Sequence, residues 1–148
     1  MKTRLNEMKL KFPSLSVNEG FARGAVAAFA AQLDPTVGEL CDIKTAVSEA
    51  VTNAIVHAYP DRVGEITLRC AAGELHTLEI TVSDRGRGIG DIKRAREPLF
   101  TTSTDGERSG MGFTVMESLC DDVRVSSAPG RGTRVRLIKK LEPRRYGG

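Results

Sequence analysis

The chain of 148 residues has no tryptophan, two tyrosines and two histidines, and aromatic residues make up only 5% of it. A core must therefore be built mostly from Leu, Ile, Val and Ala. The three cysteines, Cys41, Cys70 and Cys120, lie far apart, each in apolar surroundings. Without Cys-x-x-Cys spacing they read as neither a zinc site nor a dithiol redox pair. Buried free thiols in a reducing compartment are the expectation. No apolar run approaches the roughly 18 residues that a membrane span requires. Met1 to Lys11 is charged throughout and lacks the apolar centre of a signal peptide. The expectation is a cytoplasmic protein without a membrane partner. No internal repeat or low-complexity linker interrupts the chain.

What is present suits a globular protein: 40% hydrophobic and 28% charged residues, in a length that fits one domain spanning 1–148. The net charge of +3 is too weak to argue for nucleic acid. Much of the positive excess falls in the last strand and tail, at Arg131, Arg134, Arg136, Lys139, Lys140, Arg144 and Arg145. That run reads either as a solvated face or as one that meets an acidic partner.

Alternation at Met8, Leu10 and Phe12 predicts a short strand. Ser16 followed by Glu19 predicts a capping box opening a helix whose apolar positions are Phe21, Ala22, Ala25, Val26, Phe29 and Leu33. Thr36 and Glu39 repeat that signature before a second helix, which runs to about Ala58 and is stopped by Tyr59-Pro60-Asp61. Strands are expected over 65–72 and 75–83, with Gly73-Glu74 as the hairpin connection. A short helix over 91–96 and an aperiodic loop over 97–110 follow, then a helix over 112–119. Strands over 123–127 and 133–141 close the chain around the turn Pro129-Gly130-Arg131-Gly132. The expected architecture is α+β: a two-layer sandwich with helices on one face of a mixed, mostly antiparallel sheet.

Four constellations carry chemistry. Glu49, Asn53 and His57 recur every four residues and so share one face of the second helix. An Asn carbonyl oxygen suits Mg²⁺, which takes few protein ligands and keeps several waters. A Glu one turn earlier is placed to accept a hydroxyl proton. Taken alone the same pattern is a solvated polar face. Asp84-Arg85-Gly86-Arg87-Gly88-Ile89-Gly90 follows a strand, and its glycines permit close backbone approach to a ligand. It is neither a dinucleotide fingerprint nor a Walker loop. Arg108-Ser109-Gly110-Met111-Gly112-Phe113 opens a helix, where free amides and a guanidinium can hold phosphate, or where a loop merely caps a helix. Gly132-Thr133 begins a strand and by itself is a hairpin turn. Their order along one chain is more specific than any one of them.

In that order the chain resembles the gyrase, Hsp90, histidine-kinase and MutL ATPase superfamily, with its Bergerat ATP-binding fold. Glu49…Asn53 resembles the N box, Asp84-x-Gly86-x-Gly88 the first glycine box, Gly110-Met111-Gly112 the second, and Gly132-Thr133 the last. Within the superfamily the similarity is strongest to the sporulation anti-sigma-F kinases, and it extends from about Met8 to Leu141. It is carried by Asn18-Glu19-x-Phe21-Ala22-Arg23, by Val47-Ser48-Glu49-Ala50-Val51-Thr52-Asn53-Ala54-Ile55, by Pro98-Leu99-Phe100-Thr101-Thr102 and by Glu107-Arg108-Ser109-Gly110-Met111-Gly112-Phe113-Thr114.

That resemblance implies a homodimeric protein-serine kinase using ATP and Mg²⁺. It would sequester a sporulation sigma factor of the sigma F type and phosphorylate an anti-anti-sigma protein, with no direct nucleic-acid contact. It implies Glu49 as catalytic base and Asn53 as metal ligand. His57, Gly86, Gly88, Ser109, Met111 and Phe113 belong to the nucleotide site. Asp84 would read the adenine amino group with Thr133 in support. Arg108 and the amides from Gly110 to Gly112 would hold the phosphates, and Glu19 and Arg23 would lie on the partner-binding face. Ala58 stands where the family has Gly after the His, Arg85 where an acidic residue is common, and Ser103 where Lys is common. A general-stress anti-sigma kinase and a sequestering module without kinase activity are the rival readings. A histidine-kinase catalytic domain is a third, but the chain leaves no room for a phosphoacceptor helix.

Overall fold

The computed structural model describes residues 4–88 and 112–143. Five strands are present: β1 (Arg4–Pro13), β2 (Glu65–Gly73), β3 (Thr77–Asp84), β4 (Asp122–Ala128) and β5 (Gly132–Lys140). They form one sheet in the order β1-β2-β3-β5-β4, and every pairing is antiparallel. The helices are α1 (Val17–Ala30), α2 (Val37–Asn53) and α3 (Phe113–Leu119). A 3₁₀ turn, Ala31–Leu33, ends α1, and a π turn, Ala54–Ala58, continues α2. The expected helix over 91–96 and loop over 97–110 lie outside the described residues.

Alternation along the strands decides which face is covered. Ile66, Leu68 and Cys70 on β2, Leu78, Ile80 and Val82 on β3, and Val135 and Leu137 on β5 are buried against Ala22, Val26, Ile43, Val47, Val51, Phe113 and Met116 of the helices. With no tryptophan and few aromatics, β-branched and small residues fill this layer, as the composition requires. α1 presents Ala22, Val26 and Ala30 inward, while Phe21 is 56% exposed and touches the core only edge-on at Phe12, centroids 6.5 Å apart.

The two predicted caps differ. At Thr36 the box is complete: its hydroxyl accepts from Glu39 N–H at 3.0 Å, and the Glu39 carboxylate accepts from Thr36 N–H at 2.9 Å. At Ser16 it does not form. Ser16 itself has helical dihedrals and makes no side-chain cap, because the Glu19 carboxylate turns instead to Arg23 and to Ser48 on α2. The β2–β3 connection also shifts. Gly73 pairs with Thr77, so the turn is Glu74-Leu75-His76, with Leu75 and His76 both at positive φ. β5 ends at Lys140, one residue before the expected end, where Leu141 N–H donates to the His76 carbonyl at 2.9 Å.

Among the cysteines, Cys70 is buried and Cys120 half-buried. Burial pushes their thiols up to about 12 and about 11, which keeps them protonated and inert. Cys41 is exposed on α2, against expectation, since it lies two residues before Ile43 and so on the opposite side of the helix from the stripe of Ile43 and Val47.

Candidate functional site

The site is built where the end of α2 meets the turn after β3. Glu49 is half-buried, Asn53 is 6% exposed and His57 5%. The face that reads as polar in sequence therefore descends into the protein along the helix. The α-helix stops at Asn53 and gives way to the π turn carrying His57, a distortion that recurs at functional sites.

Ala58 closes that turn and meets the glycine loop. Its carbonyl accepts from Arg87 N–H at 3.1 Å. A Cβ on Gly86 would collide with the Ala58 carbonyl and methyl. The Ala58 departure is thus absorbed by Gly86, which leaves the space that a second side chain would need. Below the loop, Tyr59 joins three segments. Its hydroxyl donates to the Glu65 carbonyl at 2.8 Å and accepts from Arg85 N–H at 2.7 Å. No sequence signal singles out Tyr59; only its place beside the helix-stopping Pro60 hints at it.

Asp84 lies at the end of β3. One carboxylate oxygen, Oδ1, accepts from Gly86 N–H at 3.0 Å and from Thr133 N–H at 3.1 Å. The other oxygen accepts nothing from a described residue, so it is left to face a donor. Burial raises the Asp84 carboxyl above the ordinary aspartate value, and the two amide donors pull against that rise. The Thr133 hydroxyl shares a 2.8 Å hydrogen bond with Ser127, whose Oγ also donates to Gly132 O at 3.0 Å. Ser127 is a further support that the sequence does not flag. The two turns are locked together, since Gly130 N–H donates to Arg87 O at 2.6 Å. Gly132, at φ +103, passes so near the Asp84 carbonyl that a Cβ would not fit.

The start of α3 completes the arrangement. Gly112 caps it in the left-handed conformation, φ +75, with the Glu49 carboxylate where a side chain would stand. Phe113 behind it is fully buried and anchors the helix in the core. Of the residues expected at the site, Glu49, Asn53, His57, Asp84, Gly86, Gly88, Gly112, Phe113 and Thr133 fall on these joined segments. Arg108, Ser109, Gly110 and Met111 lie outside the described residues. Glu19 and Arg23 form a separate cluster on α1, 3.6 Å apart, tied through Glu19 to Ser48, the residue before Glu49.

The model of the histidine kinase-like ATPase domain matches residues 12–139. An anti-sigma F factor from Caldanaerobacter subterraneus is 56% identical over 136 residues, covering 92% of this chain and 94% of that protein. The anti-sigma F factor of Bacillus subtilis is 54% identical over 136 residues, covering 92% and 93%. The chain belongs to the anti-sigma F factor family. Its ATPase domain is an ATP-binding one, and the two-layer α+β sandwich is the fold of that domain. The crystal structure of the RsbU and RsbW domains of a Mycobacterium tuberculosis protein superposes with a TM-score of 0.70 at 20% identity, over 97% of this chain and 35% of that longer one, which shows a shared fold. A blue-light activated histidine kinase from Erythrobacter litoralis superposes at 0.57, with 27% identity over 80% of this chain and 40% of that one.

No helix among the described residues is long and apolar enough to cross a membrane. No group of three His, Cys, Asp or Glu among them could hold a metal alone. Asn53 brings a buried carboxamide to the site, and its oxygen is of the hard kind that Mg²⁺ takes in small number alongside water and phosphate.

Proposed function

We propose that this chain is a protein-serine kinase that also sequesters a sporulation sigma factor of the sigma F type, with Mg²⁺-ATP as phosphoryl donor and an anti-anti-sigma protein as acceptor. The observation that carries the kinase reading is the joining of Glu49 and Asn53 on α2 to the Asp84 loop on one side, through Ala58, and to Gly112 on the other. The sigma-factor reading is supported by the relatives' name. A homodimer, carried by one domain spanning 1–148, is part of the same reading.

In this reading Asp84 Oδ2 accepts from the adenine amino group, while its Oδ1 stays fixed by Gly86 and Thr133. Asn53 Oδ1 would hold the magnesium ion, which when bound would supply positive charge against the phosphate oxygens. Glu49 orients the serine hydroxyl and takes its proton as the serine oxygen bonds to the γ-phosphorus and the bond to ADP breaks. Arg108 and the amides of 110–112 hold the terminal phosphate. His57, Ser109, Met111 and Phe113 complete the nucleotide site. Glu19 and Arg23 lie on the partner-binding face, and the Glu19–Ser48 hydrogen bond connects that face to the helix that bears Glu49.

Incubation with γ-labelled ATP and an anti-anti-sigma protein, followed by mass spectrometry of the acceptor, tests the kinase reading. Label on a serine is expected. ATP binding without transfer would leave only the sequestering reading. Co-purification of a sigma factor with the chain tests the other half, and failure of a purified sigma F to bind in the presence of nucleotide would overturn it.

A further inference from the structure

Tyr59 is only 4% exposed, yet its hydroxyl uses both of its hydrogen-bonding capacities on backbone from other segments. A phenylalanine would fill the same volume, so packing alone does not require that hydroxyl. The ring itself is fixed. It lies against Gly64, where a Cβ would overlap it. Gly64 is in turn clamped by Ser14, just after β1. The Ser14 N–H donates to the Gly64 carbonyl at 2.8 Å, and the Ser14 Oγ accepts from Gly64 N–H at 2.9 Å. The Arg62 guanidinium stands 5.2 Å from the ring centroid and adds a cation–π contact.

The Arg85 amide that Tyr59 accepts belongs to the peptide joining Asp84 to Arg85. The hydroxyl therefore fixes one end of that peptide plane. Gly132 closes the other end, since a Cβ there would collide with the Asp84 carbonyl oxygen. A planar peptide held at both its N–H and its C=O has little freedom to turn, and the Asp84 backbone is set with it. The Gly86 and Thr133 amides then hold Oδ1 of the side chain, which leaves Oδ2 a fixed direction.

We propose that Tyr59 is a positioning residue for base recognition, its hydroxyl setting the peptide from which Asp84 reaches a 6-amino purine. The proposal rests on the reading of Asp84 as acceptor for the adenine amino group. Tyr59 does not touch the base; it acts through the Asp84–Arg85 peptide. Without the hydroxyl, Arg85 N–H and the Glu65 carbonyl lose their partner, and the peptide turns to find others. The groups that would hold the phosphates come from other segments and are not disturbed. Selectivity for the amino group changes, rather than affinity for every nucleotide.

The test is titration calorimetry of the full chain with Mg²⁺ and either ATP or purine riboside triphosphate, which differs from ATP only in lacking the 6-amino group. Wild type should prefer ATP, and Asp84→Asn should lose most of that preference. Tyr59→Phe should weaken ATP by about tenfold and leave the analogue within about twofold, which also reports an intact fold. Gly64→Ala keeps the hydroxyl but displaces the ring, so it should give the same selective loss and reads the same geometry if Tyr59→Phe does not fold. Thr36→Ala, which lowers stability elsewhere, should keep the wild-type preference. Adding Tyr59→Phe to Asp84→Asn should reduce the preference no further, because both act on one contact. A Tyr59→Phe variant that keeps the preference, or that weakens both nucleotides equally, would overturn the proposal while the Asp84 reading stands. An Asp84→Asn variant that keeps the preference, or a wild type without one, would overturn both.

Discussion

Glu49 on α2 and Gly112 at the start of α3 are in such close contact that the carboxylate occupies the place of the missing Gly112 side chain. The two residues are 63 positions apart, and their meeting sets the proposed base against the end of the second glycine box. Gly112 is held there at φ +75, where an L side chain costs about 1–2 kcal/mol before any collision is counted. Gly112→Ala is therefore expected to lower stability by at least that amount and to displace Glu49. A thermal melt together with a phosphotransfer assay checks both. A variant with unchanged melting temperature and activity would show that the contact is dispensable.

Glu49→Gln keeps the shape of the side chain and removes its capacity to take a proton. Transfer to the acceptor serine should fall by about 10²–10⁴-fold, the usual contribution of a general base. Nucleotide affinity should stay close to wild type. Single-turnover rates at saturating ATP separate the two effects, and a near-normal rate would remove Glu49 from the base role.

Asp84 should make nucleotide binding sensitive to acid. Burial raises its carboxyl above the ordinary aspartate value, so it takes up a proton at a higher pH than an exposed aspartate would. Adenine recognition needs the ionised form, hence ATP affinity should decline as pH falls through that raised value. Asp84→Asn places an amide donor where the adenine amino group needs an acceptor and should weaken binding by about 1–3 kcal/mol at neutral pH. Its affinity should also lose the acid dependence. An Asn variant that binds like wild type, or that keeps the same pH profile, would rule out this contact.

The capping box gives a prediction about stability alone. Thr36→Ala removes one half and should cost about 1 kcal/mol, read as a lowered melting temperature with activity retained. Glu39 supplies the other half. Burial acts to raise its carboxyl, but hydrogen bonds from the Thr36 and Glu142 amides and the charge of Lys139 outweigh this and hold it below the ordinary value. A lowered carboxyl stabilises the fold while it is ionised, so this contribution is present at neutral pH and lost as pH falls through the lowered value. The difference between wild type and Glu39→Gln should shrink in acid.

Much of this was legible from pattern. Alternation located the strands, the Thr36–Glu39 spacing found the true start of α2, and Glu49 and Asn53 stood out because their spacing shares a helix face. The failures were local competitions that one-dimensional spacing does not resolve. Ser16–Glu19 has the spacing of a cap, yet the Glu19 carboxylate is captured by Arg23 and by Ser48 from another helix. Gly73 looked like the turn, but Leu75 and His76 adopt the left-handed backbone once the strand register is fixed. Tyr59 and Ser127 support the site through contacts that exist only after the chain has closed on itself.

The central claim is that these segments hold one magnesium–nucleotide complex, and titration calorimetry of ATP with and without Mg²⁺ tests it most directly. Wild-type protein should bind Mg²⁺-ATP more tightly than ATP alone, and Asn53→Ala should lose most of that difference while still binding the nucleotide through Asp84. Identical affinities for wild type and Asn53→Ala, or no heat of binding at all, would contradict the account.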